Sequence, residues 1–301
     1  MRSKIRDGAI GLSDPDVLEY PVYSTAYALM CFKMAGNSDD KKLIREMEEF
    51  LISQQFTERN GFDPGHVAYG GWGFGGKHGP GKTGHMDLAH VRRVLEALTM
   101  QPSERNLSDV KHKAEVFLKM VQKHPSDQRQ QPLPVAFEQT KPENPNSGFD
   151  GGFYFSPVVL RANKGRLNRT ESPFWNSYAT ATCDGLLALL AADVSHQDER
   201  VKKAIQWLKA NHRLDYPTGI PEHYEGENWR DAVLYYHLSV QGEVARAVSG
   251  KSALTGRIAS YLDEQQNPDG SFVNPNGLMK EDDPILCTAL AILSLGKPDS
   301  T

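Results

Sequence analysis

The 301-residue sequence has little cysteine, no long apolar run and no excess of positive charge. Its three cysteines, Cys31, Cys183 and Cys287, lie in apolar helical stretches, which favours buried, reduced thiols over a disulfide framework. Because no run of 18 apolar residues occurs, no membrane-spanning helix is predicted. The N-terminal residues also lack the apolar segment of a signal peptide. We therefore expect a soluble chain of unknown compartment, in a processed or truncated form if segments are missing upstream.

The charge composition argues against nucleic acid as a partner. The 34 Lys and Arg residues are mixed along the chain with 38 Asp and Glu residues, for a formal net charge of −4. A nucleic-acid-binding face would instead show a basic stripe. Nothing in the sequence indicates attachment to a membrane surface, and the oligomeric state stays open.

Two classes of helix are predicted to alternate along the chain. The first class ends in an aromatic-leucine pair and has apolar positions with a 3.6-residue period, so one face meets water. Its pairs are Phe50-Leu51, Phe117-Leu118, Trp207-Leu208 and Tyr261-Leu262. The second class is rich in alanine and leucine and is predicted within residues 24–29, 87–98, 178–192, 229–240 and 287–295. Residues 179–192 and 288–295 carry almost no charge, as in helices that are covered on both sides.

An inner ring of helices inside an outer ring is an α/α-toroid. We predict an all-α fold of this architecture as a single domain over residues 1–301, with long loops at about 56–84 and 124–176 that are rich in Gly, Pro, Asn and Asp. Loops of that length are usually functional. Four outer and five inner helices do not complete a toroid, so an incomplete ring is predicted. Because residues 6–10 resemble the turn at 268–272, we expect an outer helix upstream of this sequence.

The outer helices are followed by a recurring order of glutamine, glycine and an aromatic residue, as at Gln55 with Gly71-Trp72, and Gln266 with Gly270-Ser271-Phe272. This order resembles the QW-type repeat of squalene and oxidosqualene cyclases, and the helix alternation is similar to that of protein-prenyltransferase β subunits. Residues 176–186, 235–237 and 281–284 resemble bacterial prenyltransferase/squalene-oxidase-repeat proteins. The resemblance covers most of the chain. It implies a central cavity at the N-termini of the inner helices, apolar as in cyclases or zinc-bearing as in prenyltransferases.

The family's cyclases protonate their substrate with an aspartate from an Asp-x-Asp-Asp-Thr-Ala motif, because a weakly basic carbon needs a strong acid. This chain lacks that motif. Its nearest acids, Asp282 and Asp283, stand at the start of an inner helix but apart from Thr288-Ala289. They are candidate catalytic residues, and the ordinary alternative is that they stabilise the helix start.

The prenyltransferase resemblance draws attention to Cys183, Asp184 and His237. The family's zinc ligands follow the order Asp-x-Cys and a later His, whereas Cys183 and Asp184 are adjacent and lie about 100° apart around their helix. We therefore predict no metal and no cofactor. Asp184, on an otherwise apolar helix, must be paired, neutral or beside a cavity. We take Asp184 and His237 as further catalytic candidates and expect them to lie near Tyr235 and Tyr236.

Aromatic residues crowd the predicted starts of the inner helices. Their faces stabilise carbocations or stack on sugars, although packing is the alternative role. Asp87 shares a helix face with His90, and its ordinary role is that of a helix cap. The ligand-binding candidates are Trp72, Phe74, Asp87, Tyr178, Trp229, Tyr235 and Tyr236.

The sequence thus predicts a cyclase-like toroid that binds an apolar or extended small-molecule ligand. Isomerase- or lyase-type activity, or zinc-prenyltransferase-like activity, is left open. The alternatives are a carbohydrate-active toroid using two carboxylates such as Asp184 and Asp231, and a non-catalytic scaffold that binds protein or peptide. The segment 76–83 matches a phosphate-cradling loop, but it lacks a preceding strand, so we expect no ATP binding.

Overall fold

The structure, a computed structural model, describes residues 2–11, 20–76, 79–101, 105–127, 129, 148–165, 175–222, 226–249 and 253–296. This part of the chain is 55% helical, with nine α-helices and one two-stranded sheet. The prediction of an all-α fold is confirmed at this level. None of the helices in these ranges combines the length and hydrophobicity that crossing a bilayer requires.

The nine helices lie where the two classes were predicted. They are α1 Pro21–Ala35, α2 Lys41–Ser53, α3 Leu88–Thr99, α4 Ser108–Val121, α5 Ala179–Ala191, α6 Glu199–Ala210, α7 Leu234–Ser249, α8 Ala253–Asp263 and α9 Pro284–Leu295. Helix α7 differs most from its prediction, because it begins later and continues through Gly242. A 3-10 turn at Asp231–Val233 precedes it.

Aspartates and prolines define several helix starts. The side chains of Asp87, Asp198 and Asp283 accept backbone N–H groups in the first turns of α3, α6 and α9. Proline occupies the first turn of α1 and of α9, where its missing N–H costs nothing. The described parts of the two long inserts contain short 3-10 turns and no α-helix. Residues 77 and 78 of the segment 76–83 lie outside the described residues.

The chain divides into two compact units. Unit 1 consists of Met1–Ala136, Phe155–Asn163 and Ala188–Ser195, and unit 2 consists of Phe137–Tyr154, Lys164–Leu187 and His196–Thr301.

In unit 1, α1 packs against α2 and α3, and α3 packs against α4. The strands β1 Ile5–Arg6 and β2 Ala9–Ile10 form a hairpin beside α1. The buried Lys33 joins α1 to its neighbours. Its ammonium donates to the carbonyl oxygens of Ala97 and Leu98 at 2.9 and 3.1 Å and pairs with Glu48 at 2.9 Å. One buried cation therefore satisfies carbonyls at the C-terminal end of α3 while a carboxylate balances its charge.

In unit 2, α7, α8 and α9 surround a common core, which consists of Tyr235, Leu238, Ile258, Leu262, Phe272, Cys287, Leu290 and Ala291. Helices α7 and α9 approach closely at Gly242, where an added Cβ would lie 2.0 Å from the Ser294 carbonyl oxygen. Arg246 donates to the carbonyl oxygens of Leu293 and Ser294, both at 2.7 Å. The glycine is retained inside α7 because a side chain there would push α9 away.

Most helices of the second predicted class bury a larger share of their residues than those of the first class. Nine of the twelve residues of α3 are buried, against three of the thirteen of α2. Helix α9 is the exception, since Ile285 and Ile292 are 81% and 61% exposed. The prediction that residues 288–295 are covered on both sides was therefore wrong. Apolar composition shows that a helix can be buried, but it does not report which neighbours pack against it.

An Asp-Gly turn recurs three times. Gly8, Gly151 and Gly270 have φ angles of +74°, +85° and +87°, which favour glycine. Two residues after each glycine, a backbone N–H donates to a threonine hydroxyl on a nearby helix. The pairs are Ile10 with Thr25 at 3.0 Å, Phe153 with Thr182 at 3.1 Å and Phe272 with Thr288 at 3.1 Å.

Glutamines after α2 and α8 also make a recurring bond. The amide of Gln55 donates to the carbonyl oxygen of Gly70, and that of Gln266 donates to the carbonyl oxygen of Gly270, both at 2.9 Å. Each glutamine thus joins the end of its helix to the glycine turn that follows.

Candidate functional site

The buried Asp184 of α5 is bonded to Tyr236 of α7. The phenol oxygen of Tyr236 lies 2.9 Å from both carboxylate oxygens of Asp184. Asp184 is fully buried, whereas Tyr236 is half-buried. The structure therefore brings together two of the predicted site residues, and it resolves how an apolar helix accommodates an acid: the carboxylate is paired.

The neighbouring His237 faces other groups. Its Nε2 lies 2.8 Å from the Arg213 carbonyl oxygen and 2.7 Å from the Gln241 amide nitrogen. Burial lowers the pKa of His237 to about 4, so the imidazole is neutral at physiological pH. As a neutral ring bonded to a backbone carbonyl, His237 serves packing and positions the loop at Arg213.

Glu281, which the sequence reasoning did not single out, is the second buried carboxylate of unit 2. It accepts the backbone N–H groups of Tyr235 and Tyr236 at 3.0 and 2.8 Å and the Asn274 amide at 2.9 Å. Burial raises the pKa of Glu281 above its ordinary value, against the lowering effect of these donors. Because its carboxylate accepts two backbone N–H groups there, Glu281 stabilises the first turn of α7 from a distant part of the chain. The only sequence signal that could have drawn attention to Glu281 was its position directly before Asp282-Asp283-Pro284.

The two candidate acids next to Glu281 differ in role. Asp283 caps α9, and its carboxylate accepts the N–H groups of Ile285 and Leu286 at 2.8 and 3.4 Å. The capping interpretation is confirmed for this residue. Asp282 is exposed and lies near Gly277.

The remaining aromatic candidates of unit 2 are engaged in packing. Tyr235 is buried in the α7–α9 core, and burial raises its pKa to about 12. Tyr178 is buried and donates its backbone N–H to Phe153 at 3.3 Å. The ring of Trp229 carries the Lys164 ammonium 3.4 Å from its centroid, a cation–π contact.

In unit 1, Trp72 is fully buried, and its indole nitrogen donates to the Leu51 carbonyl oxygen at 2.7 Å. Trp72 thus closes the end of α2 and offers no surface to a ligand. The sequence could not show this, since a tryptophan in a glycine-rich turn can point either way.

Phe74 and Asp87 lie in an aromatic and histidine cluster of unit 1. The Phe74 ring stacks on His85 with centroids 4.1 Å apart and lies 5.0 Å from the His90 ring. The buried Asp87 accepts from His90 Nδ1 at 2.9 Å and lies 3.3 Å from His85 Nε2. Burial would raise the pKa of Asp87, but the charge of His90 and the hydrogen bonds from both histidines hold it well below its usual range. Asp87 is therefore an ionised helix cap that orients two imidazoles.

Unit 2 contains an apolar cleft of about 240 Å³ between α5, α6, α7 and α8. The sequence analysis did not predict it. Its apolar walls include Ile205, Leu208, Val244, Val248 and Leu254. Cys183 and Gln241 also line it, and the Gln241 Oε1 atom has no hydrogen-bond partner within the described structure. Asp184, Tyr236 and His237 are not among its lining residues.

A second cavity of unit 2, of about 430 Å³, is polar. Its lining includes Asp215, Asp231, Asn228, Asn274 and Asn276. The Asn228 amide donates to the Asp231 carboxylate at 2.6 Å, and the side chains of Asp215 and Asp231 are about half exposed. Hydrogen bonding to Arg213 lowers the pKa of Asp215, so this cavity presents ionised carboxylate and amide groups.

The three residues that were compared with prenyltransferase zinc ligands contact different groups. Cys183 lines the apolar cleft, Asp184 bonds Tyr236, and His237 bonds the Arg213 carbonyl. Among the residues that the structure describes, no three His, Cys, Asp or Glu side chains are grouped as metal ligands. Comparison of the chain with protein-family models and with curated proteins finds no match.

Proposed function

We propose that the chain is a cyclase-like repeat protein that binds an apolar or extended small-molecule ligand, and that the ligand occupies the apolar cleft of unit 2. The cleft carries this proposal. Ligand sites are mostly apolar concavities of about 300–1,000 Å³ with a few polar groups, and the cleft lies just below that range with Gln241 and Cys183 among its lining.

The recurring turns support the repeat part of the proposal. An Asp-Gly turn occurs three times with the second residue after its glycine bonded to a helix threonine, and the glutamine–glycine bond occurs twice. Identical local bonds at separated positions are what a tandem repeat with an α/α-toroid arrangement would produce. The incomplete ring that the sequence predicts is part of the proposal.

We propose that the chain binds its ligand without catalysing a reaction on it. A protonating acid must reach the substrate, but Asp184 is bonded to Tyr236 outside the cleft lining, Asp283 caps α9, and the Asp-x-Asp-Asp motif is absent.

Binding is tested with N-phenyl-1-naphthylamine, a neutral apolar dye whose fluorescence rises in dry surroundings. We expect saturable binding by the native chain and at least a tenfold loss in Val248→Trp, because the larger ring fills the cleft. Val273→Trp is the matched control, since Val273 is 41% exposed and lies outside the lining. Circular dichroism checks that both variants are folded. Equal dye binding by the two variants would refute the cleft as the site.

The polar cavity favours a second candidate, the carbohydrate-active protein. Its two carboxylates would be Asp215 and Asp231, since Asp184 does not line the cavity. Sugars are bound by such carboxylate and amide groups. Hydrolysis would further require an acid of raised pKa. Saturation-transfer NMR with cellobiose and maltose tests this candidate, which fails if Asp231→Asn leaves the signals unchanged.

A further inference from the structure

We infer that the ligand of the apolar cleft is a single-chain amphiphile with an anionic head group, a fatty carboxylate. This inference rests on the proposed ligand-binding function and specifies its ligand class. It is carried by the distribution of charge around the cleft together with the shape and composition of its walls.

The lining of the cleft contains basic side chains and no acidic ones. Lys209, His212 and Arg257 contribute to the cleft, and no Asp or Glu residue does so. Neither Lys209 nor Arg257 forms an ion pair within the described part of the chain, whereas Arg200 and Lys202 of α6 pair with Asp198 and Glu199. His212 Nδ1 lies 2.9 Å from the Lys209 carbonyl oxygen. Unpaired cations beside an apolar surface favour a ligand that brings a negative charge.

The walls between these cations suit a hydrocarbon chain. Aliphatic side chains from α6, α7 and α8 form them, and the α7 residues extend from Gln241 to Val248. Seven residues of helix rise about 10 Å, so the wall that α7 contributes extends over roughly that distance. Its volume of about 240 Å³ is small for a ligand site, which favours one chain over the two chains of a phospholipid. Burial of that chain would supply most of the affinity.

The test compares three ten-carbon ligands, each titrated as a competitor of N-phenyl-1-naphthylamine at pH 8 and below its aggregation concentration. These are decanoate, decanol and decyltrimethylammonium. We expect decanoate to bind at least fivefold more tightly than decanol, and the cation to bind most weakly. Raising the salt concentration should reduce the preference for decanoate, because exposed charges are screened.

Variants separate charge from apolar burial. The double variant Lys209→Gln/Arg257→Gln should lose roughly two- to twentyfold in decanoate affinity, as expected for two exposed ion pairs, while its decanol affinity stays unchanged. Lys202→Gln is the matched control on α6, because Lys202 is exposed and paired with Glu199 outside the cleft. The control should bind all three ligands as the native chain does.

The outcomes distinguish the inference from the function on which it rests. If decanoate, decanol and the cation displace the dye equally, the anionic head group is refuted and the apolar cleft remains. If the dye itself does not bind in the cleft, both proposals fail. Co-sedimentation with phosphatidylglycerol vesicles in the absence of decanoate binding would overturn the inference in favour of a membrane surface.

Discussion

Asp184 and Glu281 are both buried carboxylates, and the chain stabilises them with different donors. Asp184 accepts the Tyr236 hydroxyl of α7, whereas Glu281 accepts two backbone N–H groups at the start of α7. The first pairing could be predicted in outline, because an acid on an apolar helix needs a partner and the Tyr235-Tyr236-His237 cluster supplied candidates. The second could not, since it joins positions 45 and 46 residues apart and depends on how α9 meets α7.

His237 provides the first prediction at the scale of single residues. Its pKa is lowered from 6.5 to about 4 by burial. As the pH falls through about 6.5, the unfolded imidazole takes up a proton while the folded one stays neutral until about 4. The folded state is therefore destabilised between these pH values.

The measurement is the free energy of unfolding of the native chain and of His237→Gln between pH 7 and 4. The native chain's advantage over the variant should shrink by roughly 2–3 kcal/mol across this range, at about 1.4 kcal/mol per pKa unit. Groups such as Glu281 contribute equally to both proteins. A constant difference between the native chain and His237→Gln would show that His237 is not buried as a neutral ring.

At the scale of elements, the positions of the helices followed from their apolar periodicity, while their lengths and neighbours did not. The prediction for α7 ended at Val240, two residues before Gly242, and glycine weakens an isolated helix. Tertiary packing reverses that preference, since the absent side chain allows the close contact with Ser294 of α9. The exposed face of α9 was not predicted for a related reason. The composition of a helix does not show which other helices pack against it.

Gly242→Ala tests this account of the α7–α9 contact. Its Cβ would meet backbone atoms of α9, which cannot move aside as a flexible side chain would. We expect a loss of about 1–3 kcal/mol, typical of an overpacked core. Gly256→Ala in α8 is the matched control, because an added Cβ there meets nothing within 4 Å. It should raise stability by up to about 1 kcal/mol through helix propensity. Urea unfolding of both variants measures the difference, and equal effects would contradict the close packing.

At the scale of the whole molecule, the helical class was predictable because nine segments each carried a local signal. The candidate site was only partly predictable. Trp72 and Tyr178 are buried in packing, while the apolar cleft arises from residues of four helices that no sequence motif joins. Motifs report residues that act locally, whereas a cavity depends on the gaps that packing leaves.

The three threonine-bonded turns provide the last prediction, which concerns the repeat organisation of the chain. If the turns are copies of one unit, then Thr25→Val, Thr182→Val and Thr288→Val should have similar effects. Each removes the acceptor of a backbone N–H, the donors being those of Ile10, Phe153 and Phe272. An unsatisfied N–H of this kind costs about 1–3 kcal/mol.

Thr99→Val is the control for these variants, because the Thr99 hydroxyl donates to the Leu95 carbonyl of its own helix and accepts no turn N–H. Its effect should stay within about 0.5 kcal/mol. Thermal and urea unfolding of the four variants gives the comparison. Three similar losses beside a neutral control would support one repeated device used along the chain. If only one turn responds, the bonds are local coincidences, and the repeat interpretation loses the structural observation on which it rests.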